Sequence, residues 1–344
     1  MKNMIFKRRL PIPKELKEMY PVSAEGAKAK QKNDAEIRSI ITGESDKLLL
    51  VIGPCSADRE DAVIDYITRL NSLKDRVSDK IFIVPRIFTG KPRTSGSGYK
   101  GMIHQPDPLG ESDILNGLIA LRRLHMRVLN ETGMSCADEL LYPEEHRFLS
   151  DLLSYVSVGA RSVEDQQHRL TASGLSIPVG MKNPLSGDLA SMINAIKTAQ
   201  GQHTFIYRNW EVESKGNPLA HAILRGYKDL HGRHHPNCGY EDLVQLASLY
   251  AESGLNNPAL IVDCNHSNSR KDCFKQGEIA KDVLKSVAKN ADIKRLLKGF
   301  MIESYLEDGC QQPGGSKYGQ SITDPCLGWE KTEKLILELA DLWE

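Results

Sequence analysis

Residues 48–56 read Leu48-Leu49-Leu50-Val51-Ile52-Gly53-Pro54-Cys55-Ser56, five apolar side chains in a row that stop at a glycine and a proline. A run this short and this evenly apolar shows no polar–apolar alternation. It therefore reads as a strand buried on both faces, the kind that parallel sheets contain. Seven further runs, 81–85, 134–137, 155–158, 177–181, 204–207, 260–263 and 299–302, read the same way and also end in small or polar residues.

Helical periodicity fills the gaps. Ile64, Ile67, Leu70, Leu73 and Val77 share one face, as do Ile114, Leu118, Leu121, Leu124 and Val128, and later Trp329, Ile336, Leu339 and Leu342. Segments 188–198, 242–253 and 279–291 are also expected to be helical. About eight strand–helix units point to an α/β fold, a (β/α)8 TIM barrel over 46–344, with a doubly wound open sheet as the alternative. Residues 1–45 precede the first strand and read as an N-terminal helical extension, with a helix over 24–42, suited to oligomer contacts or regulation. Segment 208–237, rich in Gly, His and Asn, reads as a functional loop.

Composition narrows the class. Of 344 residues 40% are apolar and 26% charged, which suits a globular protein with a substantial core. Lys plus Arg and Asp plus Glu both number 45, so net charge gives no reason to expect nucleic acid or a membrane as partner. Seven scattered cysteines form no paired framework, and no signal peptide or membrane span is read, so a cytoplasmic protein is expected.

Chemistry gathers where the strands end, as it does in barrels of this type. Successive strands run into Cys55, then Arg86 and Lys91-Pro92-Arg93-Thr94, Asp138-Glu139, Arg161, Lys182-Asn183, Asp263 with His266, and Glu303 with Asp324 beyond it. Cys55, His266, Glu303 and Asp324 are all capable metal ligands. Spacing alone leaves other readings open: Cys55 as a small buried residue, His266 as a loop histidine, Asp324 as a helix cap. Arg86, Lys91, Arg93, Arg161, Lys182 and Arg225 form a basic set that a barrel would converge on one mouth. Such a set suits a phosphorylated, multiply anionic substrate.

The segments that carry these residues resemble one family, the type I 3-deoxy-D-arabino-heptulosonate 7-phosphate (DAHP) synthases. They are Val51-Ile52-Gly53-Pro54-Cys55-Ser56, Lys91-Pro92-Arg93-Thr94, Gly159-Ala160-Arg161-Ser162, Gly180-Met181-Lys182-Asn183, Ile223-Leu224-Arg225-Gly226, His266-Ser267-Asn268-Ser269, Met301-Ile302-Glu303-Ser304 and Ser321-Ile322-Thr323-Asp324. The resemblance implies a (β/α)8 barrel that condenses phosphoenolpyruvate with erythrose 4-phosphate, the first step of the shikimate pathway. It implies one divalent metal ion (Mn, Fe, Co or Zn) on Cys55, His266, Glu303 and Asp324, in a homodimer or homotetramer. Arg86, Lys91 and Lys182 would meet the phosphoenolpyruvate carboxylate region, and Arg161, Lys182 and Arg225 its phosphate. Arg93 and Thr94 would take the phosphate of erythrose 4-phosphate, and Glu139 would handle protons or water.

Two departures stand out. Asp263-Cys264-Asn265 replaces the Asp-Phe-Ser of enterobacterial members, and the first 45 residues match least. The related octulosonate 8-phosphate synthases carry Asn-Arg-Ser-Ser where this chain has Lys91-Pro92-Arg93-Thr94. A barrel that only senses phosphorylated metabolites is the remaining alternative.

Overall fold

The computed structural model describes residues 3–93, 96 and 98–343. Its strands, in chain order, are β1 (Leu48–Gly53), β2 (Ile81–Pro85), β3 (Cys136–Glu139), β4 (Leu153–Val158), β5 (Val179–Lys182), β6 (His203–Tyr207), β7 (Trp210–Ser214), β8 (Ala220–Leu224), β9 (Tyr227–Lys228), β10 (His234–His235), β11 (Leu260–Asp263) and β12 (Leu297–Glu303). Eight of them form one sheet in the order β2-β1-β12-β11-β8-β5-β4-β3, and every pairing is parallel. The two edges meet through an Arg86–Ala137 bridge, with Ile87 N donating to Ala137 O at 2.9 Å, and the sheet closes into a barrel. The open-sheet alternative is thereby excluded.

Alternation along each strand builds two cores. Leu48, Leu50 and Ile52 point outward into the cluster shared with the surrounding helices, including Val63, Ile67, Leu70, Leu121 and Ile336. Leu49, Val51, Val84, Ala137, Tyr155, Ile223, Ile261 and Met301 point inward and pack against one another. Helix Ala24–Thr42 closes the floor of the barrel, because Ile37, Ile40 and Ile41 belong to that same interior cluster. Ser23 caps this helix by accepting from Gly26 N, and Gly43 ends it in the left-handed region at φ 79°.

The sixth strand corrects the sequence reading. Segment 204–207 lies in β6, which pairs antiparallel with β7 outside the barrel, its residues alternating half-buried and exposed. The barrel strand is β8, Ala220-His221-Ala222-Ile223-Leu224, buried throughout. Two alanines and a histidine hid it, whereas the aromatic and β-branched residues of β6 give strand character to a hairpin with one face in solvent. Segment 208–237 is correspondingly not one loop, since it holds β7, β8 and the small β9–β10 hairpin. Smaller shifts occur elsewhere. The third strand starts at Cys136, not 134, and the predicted helix over 279–291 ends at Val287 with a separate Ala291–Leu296 helix beyond it.

Candidate active site

The rim is built by the same alternation, one step further up. Two residues beyond the inward-facing Val84, Ala137, Gly180, Ile223, Ile261 and Met301 stand Arg86, Glu139, Lys182, Arg225, Asp263 and Glu303. The correction to β8 thus makes Arg225 a strand-end residue like the others. A cavity of ≈ 310 Å3 opens here, lined by Cys55, Arg86, Lys91, Arg93, Glu139, Arg161, Arg225, His266 and Asp324 among others.

On one side of it, ligand atoms of Cys55, Glu303 and Asp324 all lie within 4.8 Å of one another. His266 Nε2 lies 3.9 Å from Glu303 Oε1, and its Nδ1 lies 2.9 Å from Asp263 Oδ2. His266 sits in the left-handed region at φ 52°, which turns its ring back toward these carboxylates. Burial, with Glu303 and Asp324 close by, pushes the Cys55 thiol up despite the opposing pull of Lys91. A sulfur and two carboxylates converging on one point, with an imidazole beside them, are donors that a divalent transition metal accepts, so the donor set fits a metal ion. The helix-cap reading of Asp324 falls away, because Gly328 occupies the N-cap of the last helix, Trp329–Leu342.

Supporting contacts fix the carboxylates. Arg86 Nη2 donates to Glu303 Oε1 at 2.8 Å and Asn265 Nδ2 to Glu303 Oε2 at 2.5 Å, with Arg86 and Glu303 both almost fully buried. Arg86 also donates to Pro54 O and lies over the Phe88 ring at 3.7 Å, while its Nε has no partner among the described residues. Lys271 Nζ holds Asp324 Oδ1 at 2.8 Å. Burial would raise the Asp324 carboxyl, but Lys271, His266 and Lys91 bring it down to about 2.

The cationic wall adjoins this cluster directly. Lys182 Nζ donates to Glu139 Oε2 at 2.9 Å, and Lys91 Nζ donates to Cys55 O at 2.7 Å and Cys55 Sγ at 3.1 Å. Burial works against the Glu139 charge, yet Lys182, Lys91 and Arg86 hold its carboxyl down at about 2, so it is ionised. Gly159 is required beside it, since a Cβ there would stand 2.9 Å from Glu139 Oε1. Arg225 is 7% exposed, its Nη1 unpartnered among the described residues, and burial weakens its hold on its proton.

With this geometry in place, comparison with known proteins identifies the family. The family model of the DAHP synthetase I family matches residues 20–337. The chain belongs to the DAHP synthetase I family. It is 38% identical over 339 residues to the Tyr-sensitive phospho-2-dehydro-3-deoxyheptonate aldolase of Escherichia coli K12, covering 96% of this chain and 92% of that one. The Trp-sensitive enzyme of the same strain is likewise 38% identical over 339 residues, covering 96% and 94%. The solved phospho-2-dehydro-3-deoxyheptonate aldolase of Francisella tularensis SCHU S4 superposes with a TM-score of 0.92 at 32% identity, covering 99% of this chain and 98% of that one. The chain is thus an enzyme, a DAHP synthase, and its reaction is the condensation of phosphoenolpyruvate with erythrose 4-phosphate that opens the shikimate pathway.

Of the site residues expected from sequence, the synthase fold brings Cys55, Arg86, Lys91, Arg93, Glu139, Arg161, Arg225, His266 and Asp324 to one cavity. Lys182 and Glu303 touch it through Glu139 and Arg86. Thr94 lies outside the described residues. Sequence reading gave no role to the asparagines that brace the rim, although Asn183 stood among the strand-end residues. Asn183 Oδ1 accepts from Arg225 N at 2.9 Å, and Asn265 holds Glu303. Both adjoin residues that were found, and buried asparagines next to strand ends were the available signal. Lys228, His234 and Lys271 also line the cavity and were missed because none of them directly follows a barrel strand.

Proposed function

We propose that this synthase performs its condensation around one divalent transition metal ion (Mn, Fe, Co or Zn) held by Cys55, His266, Glu303 and Asp324. The observation that carries this reading is the approach of the Cys55, Glu303 and Asp324 ligand atoms to within 4.8 Å, with His266 Nε2 beside Glu303. Bound there, the ion would supply a Lewis acid for the aldehyde oxygen of erythrose 4-phosphate.

The protein's own residues supply orientation and proton handling. Arg161, Lys182 and Arg225 clamp the phosphate of phosphoenolpyruvate, and Arg86, Lys91 and Lys182 flank its carboxylate end. Arg93 and Thr94 take the erythrose phosphate. The Arg93 guanidinium is steadied by Nε donating to Tyr99 O at 2.7 Å, and Pro92 stiffens its loop. Held in line, C3 of phosphoenolpyruvate attacks the aldehyde carbon, water adds at C2, and the hemiketal phosphate expels phosphate by C–O cleavage. Alignment of two bound substrates contributes about 7–11 kcal/mol of such a barrier. Glu139 suits the water step: once the phosphate draws Lys182 toward itself, the carboxylate loses part of the charge that keeps it weakly basic.

Residues 46–344 act as the catalytic barrel and 1–45 as an extension for oligomer contacts or regulation. Exposed Met4, Ile5 and Phe6 at 60%, 89% and 86% support contact with another copy in a homodimer or homotetramer. Seven free cysteines, and the absence of any helix among the described residues long and apolar enough to cross a membrane, support a cytoplasmic enzyme. A phosphate-release assay with both substrates tests the core of this reading. Chelation should abolish release and divalent transition metals restore it, whereas full turnover in metal-free protein would sink it. Arg93→Ala should raise the KM for erythrose 4-phosphate far more than that for phosphoenolpyruvate.

A further inference from the structure

The β9–β10 hairpin stands over the rim and has no part in the scheme so far. It is built to be rigid. The Tyr227 and His235 rings stack at 5.1 Å and 17°, and Asp229 Oδ1 accepts from His231 N at 2.8 Å and Arg233 N at 2.9 Å across the turn. Its base is braced by buried asparagines. Gly226 N donates to Asn237 Oδ1 at 2.7 Å, Asn237 N to Asn268 Oδ1 at 2.9 Å, and Asn237 Nδ2 to Asn183 Oδ1 at 3.2 Å. Gly226 allows this at φ 70°, where a Cβ would sit 2.6 Å from Asn268 N.

What this frame presents is a pair of basic residues. Lys228 lies directly opposite His234 in the antiparallel register, so both side chains emerge on the same face, and both line the cavity. Ser267 Oγ engages His234 Nδ1 at 2.9 Å, which leaves Nε2 as the ring nitrogen available to a ligand. Burial and the nearby Lys228, Lys271 and Arg225 hold the His234 ring below its usual range, a sign of how closely these cations crowd. An anion between them would meet the Lys228 ammonium directly and would favour the protonated form of the His234 ring. The basic residues form a gradient: Arg225 is buried, His234 half-buried and Lys228 exposed. That gradient leads from the inner phosphate clamp to solvent.

We propose that Lys228 and His234, above Arg225, form an outer phosphate subsite that receives inorganic phosphate as it leaves the inner clamp. The proposal rests on the assignment of Arg225 to the phosphoenolpyruvate phosphate. The chemistry would also suit the phosphate of erythrose 4-phosphate, but Ser267, which engages His234, donates its N–H to Arg225 O at 3.1 Å and so ties the hairpin pair to Arg225.

Titration calorimetry of inorganic phosphate into metal-loaded enzyme saturated with phosphoenolpyruvate tests it. The wild type should bind one equivalent. Lys228→Met and His234→Gln should each weaken that binding roughly tenfold, as expected for loss of one charge-assisted contact. Affinity for phosphoenolpyruvate and the KM for erythrose 4-phosphate should stay within about twofold of wild type. Phosphate binding unchanged in both variants, or abolished only by Arg93→Ala, would overturn the subsite. A raised erythrose 4-phosphate KM in the hairpin variants with phosphate binding intact would overturn it too. A fault in the underlying assignment shows separately, as Arg225→Ala binding phosphoenolpyruvate with wild-type affinity.

Discussion

The floor and the rim of this barrel are made by the same eight strands, two or three residues apart, and they obey opposite rules. At the floor Ile37, Ile40 and Ile41 of the closing helix meet Leu49, Val51, Ile261 and Met301. The polar pair in that interior, Tyr155 and His221, satisfies itself, with Tyr155 Oη and His221 Nε2 at 2.9 Å and His221 Nδ1 on Leu219 O at 2.8 Å. At the rim Arg86 Nε and Arg225 Nη1 are buried without a partner among the described residues, and three acidic or thiol ligands crowd together. Stability comes from the floor, and the rim gives some of it up to stay open for anions and a metal.

The largest effect should come from the rim and leave the fold untouched. Cys55→Ser should lower kcat by more than about 100-fold, since even partners behind a metal ligand are worth 10–100-fold. Metal affinity, measured by equilibrium dialysis, should fall in parallel. A thermal midpoint that dropped by many degrees would mean that Cys55 is a packing residue after all.

Ile40→Ala probes the floor in the opposite sense. The side chain is fully buried, so its truncation should cost about 2–5 kcal/mol in denaturant unfolding. Activity of the folded enzyme at 25 °C should remain within about twofold. A large change in kcat would show that floor and rim are mechanically coupled and would break the division between them.

Arg225→Ala returns to the rim with a smaller effect on function. Loss of a charge-assisted contact should weaken phosphoenolpyruvate binding by about 1.5–3 kcal/mol, roughly 10–150-fold, with erythrose 4-phosphate much less affected. Because burial disfavours the charge of this guanidinium, removing it should leave the unfolding free energy at or above the wild-type value. Equal losses for both substrates would mean that the cationic wall is not divided between them.

The contrast also explains what the sequence could and could not reveal. Rim residues were legible because charge directly after an apolar run is conspicuous, and Arg225 was recognised even though its strand was not. The floor strand β8 was not legible, since Ala220, His221 and Ala222 are buried by packing partners far away in sequence rather than by their own hydrophobicity. The β6 hairpin misled for the converse reason, as Phe205, Ile206 and Tyr207 look like core while Ile206 is 77% exposed. Bracing contacts such as Asn265 on Glu303, or Cys326 Sγ accepting from Cys55 N at 3.3 Å, join positions 38 and 271 residues apart. No local pattern announces such a pair.

The smallest effect expected is a pH dependence that belongs to the floor. Burial holds His221 at about 4, against 6.5 for a free imidazole, so the ring is neutral in the fold. Above pH ~6.5 it is neutral in the unfolded chain as well, and its contribution does not vary. As pH falls below that value the unfolded chain takes up the proton first, and the folded state follows only near 4. Stability is therefore present above ~6.5 and is lost progressively down to ~4, by about 1 kcal/mol at pH 5.5 and at most about 3 kcal/mol in all. His146, also buried and held at about 4, adds a slope of the same sign, so the informative quantity is a difference between variants. His221→Phe removes this ring's share, and the gap in unfolding free energy between it and wild type should narrow as pH falls from 7 to 5. Carboxylates at the rim cannot mimic the effect, because Glu139 and Asp324 are held at about 2 and their unfolded counterparts titrate near 4. A gap that stayed constant across that range would mean that the floor admits the proton, and with it water, as readily as the unfolded chain.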